Sequence, residues 1–104
     1  MNIMKMMKQA SAMQKKMADA QAALAGQELE FQAGGGAVTI KISGAGQVLG
    51  VRIDPDVVAG GDTDMLEDLV LTAVQGAQGL AQEAAANEMK KATEGMSLPP
   101  GMGL

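Results

Sequence analysis

The chain has 104 residues, a formal charge of −4, one aromatic residue (Phe31) and neither cysteine nor histidine. One domain is expected at this length, with a core drawn from Leu, Val, Ile, Met and Ala; such a core is thin for a lone chain and favours self-association. The missing Cys and His exclude disulfides, zinc sites of the Cys/His kind and Cys- or His-based catalysis.

Ile3, Met6, Ala10, Met13, Met17, Ala20 and Leu24 follow one another at alternating spacings of three and four. This is an a/d seam held for three heptads, the period of a helix lying along a partner helix. Ala, Met, Gln and Lys propagate helices well, and Gly26 is the first breaker, so the spacing predicts a helix over 2–25. Residues 1–18 also hold Lys5, Lys8, Lys15 and Lys16 and no acid. With Ile3 at a, Lys5 falls at c, Lys8 and Lys15 at f, and Lys16 at g. Three lysines therefore face away from the seam and the fourth flanks it. Met6, Met13 and Met17 read as packing residues, while Met4 and Met7 widen the apolar stripe or add an adaptable surface. A copper-binding methionine motif is not needed to explain them. Lysines recurring through Lys16 leave no apolar stretch for a signal peptide, and no 18-residue apolar run spans a membrane. A reducing cytoplasm suits a chain without cysteine.

From Glu28 the period drops to two, which predicts strands over 28–33, 37–43 and 47–53. Gly34-Gly35-Gly36 and Gly44-Ala45-Gly46 connect them, giving a three-stranded antiparallel meander with one apolar face. The alternation assigns Leu49, Val51 and Ile53 to that face in the third strand. Lys41 and Arg52 fall on the polar side, where they extend a basic surface or guard a strand edge. The glycine triplet lacks the Lys-Ser/Thr of a phosphate-binding loop and reads as a turn.

Asp54-Pro55 ends the third strand, and an acidic, Gly-containing loop is expected to about Asp62. Asp64 with Glu67 resembles a capping box, and apolar residues from Leu66 to Ala84 at helical spacing predict a second long helix over 64–94. Gly76 and Gly79 inside it each cost about 1 kcal/mol relative to Ala and mark a kink or a close backbone approach. Lys90 and Lys91 sit in the last turns, where cations complement the helix dipole as readily as they extend a basic surface. Gly95 reads as a C-terminal cap and 95–104 as a tail. Asp54, Asp56, Asp62, Asp64, Glu67 and Asp68 crowd a segment without a base, but their spacing misses the calcium-loop pattern. No catalytic constellation, metal site, cofactor or small-molecule substrate is expected.

Taken in order, "MKQASAMQKKM", "AGGGAVTIKISGAGQVLGVRIDP", "LEDLVLTAV" and "MSLPPGM" resemble the YbaB/EbfC family of nucleoid-associated proteins along nearly the full chain. The resemblance implies a small α+β homodimer with helices projecting like the arms of tweezers. It implies binding of double-stranded DNA with little sequence preference, a place in the nucleoid and an influence on gene expression. One departure is the stretch holding Gln75, Gly76, Gln78 and Gly79, where the family tends to be more polar and basic. That puts the second helix's share of DNA contact in question.

On residues alone, the lysine face of the first helix is a solvated surface. The absence of acid before Asp19, together with the resemblance, turns the expectation toward phosphate contact by Lys5, Lys8, Lys15 and Lys16. Lys41, Arg52, Lys90 and Lys91 are secondary candidates. The rival reading is a protein–protein adaptor that uses its Met/Ala-rich helices and has little affinity for DNA.

Overall fold

A computed structural model describes residues 2–94. The chain runs α1 (Ile3–Gly26), β1 (Glu28–Ala33), β2 (Val38–Ser43), β3 (Val48–Ile53), α2 (Pro55–Ala59) and α3 (Thr63–Thr93). This is the α+β order expected from the sequence: a long helix, three antiparallel strands and a second long helix, each boundary within one residue of its prediction. The predicted tail and the Gly95 cap lie outside the described residues.

Two readings between the third strand and the second long helix need correction. The segment expected to be a loop contains α2, which Asp54 caps by accepting a hydrogen bond from the Asp56 amide at 3.0 Å. Pro55 both ends the ladder and opens this helix, because its fixed φ and missing N–H suit a first helical position. At the start of α3 the cap is Asp62 rather than Asp64. Its carboxylate accepts from the Met65 amide at 3.0 Å, while Asp64 sits inside the first turn.

The sheet has the order β1-β2-β3, with β2 central. Phe31 pairs with Ile40, and Ile40 with Val51, so these residues share one face. A bulge between Lys41 and Ile42 then brings Val48, not Leu49, opposite Ile42. The alternation that assigned Leu49 to the apolar face thus fails by one residue, as a bulge requires.

α3 lies across the apolar face over β1 and β2. Ala33, Val38, Ile40, Ile42, Ala73, Ala77 and Ala81 form the buried core, with Leu29, Phe31, Ile53, Leu66, Leu69, Val70 and Val74 packed around it. Alanine supplies every buried position of α3, which lets its axis approach the strands closely. Gly76 carries that approach furthest, since a β-carbon there would overlap the ring of Phe31. Of the two glycines in this helix, one therefore marks a close contact. Gly79 has nothing near its missing β-carbon. At the β1–β2 turn Gly34 has φ +63°, and an added β-carbon would come within 2.7 Å of Leu69 Cδ2.

α1 returns along the C-terminal part of α3. Ala20 and Leu24 are buried, Met13 and Met17 half-buried. The seam's partner at these positions is thus the chain's own α3. Gln27 Nε2 donates to Glu88 Oε1 at 3.2 Å at the base of the pair, and Lys16, Asp19 and Ala20 line a crevice with Glu88, Lys91 and Ala92 further out. The helices are therefore antiparallel. The N-terminal half of α1 projects past Thr93, the last residue of the facing helix. There the seam is not enclosed: Ile3 is 67% and Met6 53% exposed. The molecule measures 69 × 26 × 16 Å, elongated by this arm.

Candidate nucleic-acid interface

Asn2 starts the arm. Its side chain accepts from the Lys5 amide at 3.1 Å, satisfying one of the orphan donors of the first turn. From there Lys5, Lys8, Lys15 and Lys16 are all exposed, as their heptad positions require. Lys5 and Lys16 are eleven residues apart, so the row spans about 16 Å at a rise of about 1.5 Å per residue. With a phosphate for every 3.4 Å of rise per strand, that length matches about five successive nucleotides. No acid occurs along it before Asp19.

The helix pairing adds to one end of this row. Lys16 and Lys91 line the same crevice between α1 and α3, which joins the end of the second helix to the basic arm. The two are not equivalent. Lys91 Nζ lies 3.3 Å from Glu88 Oε1, the one ion pair among the described residues. With the lysine side chain 70% exposed, this pair is screened and weak. Lys90 is exposed and makes no ion pair with a described residue.

Lys41 and Arg52 form a separate group. They line a shallow depression of about 140 Å³ with Glu30, Thr39, Gly50 and Val51, to which neither helix contributes. It lies on the sheet face opposite α3, as their register with Glu30 and Thr39 requires. Glu30 faces Lys41 directly across the strands, so this patch is mixed in charge where the arm is not.

Reading the sequence did not find the side-chain contact at the base of the arm. Gln27 and Glu88 are 61 positions apart, and neither stands out locally. Glu88 is only 13% exposed and accepts from both Gln27 and Lys91. Only its i,i+3 relation to Lys91 was legible. Among the described residues no helix is long and apolar enough to cross a membrane.

A small α+β unit with a projecting helix that carries four lysines and no acid before Asp19 is the kind of architecture that presents cations to a polyanion. The chain matches the YbaB/EbfC DNA-binding family over residues 1–96, and belongs to that family, which is one of DNA-binding proteins and not of enzymes. It is 48% identical over 99 residues to a nucleoid-associated protein of Clostridium novyi (strain NT), covering 95% of this chain and 87% of that one. It is 42% identical over 103 residues to a nucleoid-associated protein of Akkermansia muciniphila, covering 99% of each. The fold is also that of an uncharacterized Helicobacter pylori protein of known crystal structure. There the TM-score is 0.79 at 16% identity, over 88% of this chain and 96% of that one.

Proposed function

We propose that the protein is a nucleoid-associated, homodimeric DNA-binding protein that holds duplex DNA through lysine–phosphate contacts from the arm. The observation that carries this reading is the run of four exposed lysines on one helix face, without an intervening acid and without an ion pair among the described residues. Family membership supplies the class of ligand. Phosphate contacts fix position but carry no base information directly, and the single arginine, Arg52, lies on the sheet and not on the arm. Binding is therefore expected to have low sequence specificity, with any preference arising from DNA shape. One aromatic residue in the chain leaves no platform for stacking on single strands. By bridging and bending the duplex, two arms per dimer would alter its conformation and so influence the genes it carries.

Lys41, Arg52, Lys90 and Lys91 rank below the arm, for the charge mixture on the sheet and the Glu88 pairing at the helix end. Replacing Lys5, Lys8, Lys15 and Lys16 together by Glu tests the assignment. Duplex affinity at low salt should fall more than about 100-fold, as loss of several phosphate contacts dictates. Unchanged affinity would remove the arm from the interface. An unmodified protein that fails to retard duplex DNA at about 50 mM salt, where such contacts are strongest, would favour the adaptor reading.

A further inference from the structure

The lysine face of the arm is not purely cationic. Met4, Lys8, Ser11 and Lys15 follow one another at spacings of four, three and four, so they form one stripe along the helix. With Ile3 at a, Met4 falls at b, on the outward side with Lys5 at c and Lys8 and Lys15 at f. The heptad seam, to which Ile3 and Met6 belong, therefore does not account for it. At 71% Met4 is the most exposed large apolar side chain among the described residues.

Only the outer part of the arm is a single helix. Lys16 and Ala20 already border α3, whereas Ile3 to Met13 adds about 15 Å of helix N-terminal to that pairing. A lone helix, about 10–12 Å across with its side chains, fits the B-DNA major groove of about 12 Å, and two helices packed about 8–10 Å apart do not. Groove entry is thus open to the segment that carries Met4, Lys5 and Lys8, while Lys15 and Lys16 stay at the rim.

We propose that the tip of the arm enters the major groove of duplex DNA and that Met4 packs against the C5-methyl groups of thymine on its floor. This deepens the DNA-binding reading above and rests on it. Lys5 and Lys8 have long flexible stems and reach sideways to phosphates on the groove walls. Met4 has no charge to deliver there and points to the base edges. The thymine methyl is the apolar group that the major groove offers, so it is the complement of an apolar side chain set among phosphate-binding cations. Methionine suits the task, because its three rotatable bonds let it repack against whichever base step presents a methyl. Lysine contacts alone leave any preference to DNA shape. Met4 adds a direct one for A·T pairs, small enough to keep binding broadly nonspecific.

Two alternating A·T duplexes of equal length test this, one with thymine and the other with uracil at every pyrimidine. They differ in the C5-methyl group and share the same pairing edge. The wild-type protein should bind the thymine duplex about fourfold more tightly per engaged arm, hence about 15-fold for a dimer using both. In Met4→Ala the two duplexes should bind alike, with the slope of log K against log salt unchanged, because the phosphate contacts remain. Alanine at this exposed helical position leaves the fold intact. An Ile3→Ala/Met6→Ala variant, on the seam side, should keep the discrimination. Equal wild-type affinity for both duplexes, a thymine preference that survives Met4→Ala, or its loss in the seam-side variant would overturn the groove contact and leave the phosphate reading in place. A wild-type protein that binds neither duplex at about 50 mM salt would overturn both.

Discussion

The arm and the opposite end of α3 are built from the same kind of element and differ in almost everything else. The arm is lysine-rich, free of acid over its first 18 residues and exposed on all sides near its tip. The other end gathers Asp54, Asp56, Asp62, Asp64, Glu67 and Asp68, uses two of those acids as helix caps and packs against the sheet. α3 separates the two. Asp64 and Lys90 are 26 residues apart along it, about 40 Å at helical rise. At physiological salt that is about five Debye lengths. The net charge of −4 is therefore a poor guide to DNA binding, because a phosphate at the arm does not feel the acids at the far end. Where acids cap helix N-termini they contribute to folding, and where lysines have no partner they remain available to a ligand.

Substitutions at each end can break or sharpen this contrast. The largest expected effect is the loss of more than about 100-fold in duplex affinity when the four arm lysines become Glu, measured by fluorescence anisotropy at low salt. Next is Gly76→Ala, which forces a β-carbon into the ring of Phe31. Urea unfolding should show a loss of about 1–3 kcal/mol, overpacking outweighing the gain in helix propensity. Asp62→Ala removes the α3 cap and should cost about 1 kcal/mol in the same assay, with little effect on DNA binding. Gly79→Ala should act in the opposite direction, stabilising by up to about 1 kcal/mol, because its β-carbon meets nothing. The smallest effect is expected from neutralising the far acids that do not cap a helix, as in Asp56→Asn/Asp64→Asn/Glu67→Gln/Asp68→Asn. Affinity for duplex should change less than about twofold at about 150 mM salt. A tenfold gain would mean that the acids repel DNA after all and that the two ends are not independent.

The elements were legible because their periods are clean: three and four along α1, two along the strands, three and four again along α3. What escaped was set by contacts between distant positions or by a single-residue slip. The bulge at Leu49 leaves no mark on an alternating pattern, so the strand was read straight through it. Asp54-Pro55 was read as an end, and it is also a beginning, since the same two residue types that stop a ladder start a helix. Gly76 and Gly79 look alike in the sequence, and only the position of Phe31 on the neighbouring strand distinguishes them. The lysines of the arm were legible as a face, but that Lys91 joins Lys16 across a helix pair was not, because it depends on the antiparallel docking of α1 on α3. Val51 reads as an ordinary core position, and its exposure follows from the width of one helix over three strands.

The central claim is that binding is made of lysine–phosphate contacts from two arms. A salt titration of the unmodified protein on a duplex tests it most directly. Four contacts from each of two arms give about eight neutralised phosphates, hence a slope of about −7 in log K against log salt. Affinity should then fall on the order of 10⁴-fold between about 50 and 200 mM. A slope near zero, with affinity retained at the higher salt, would contradict the account.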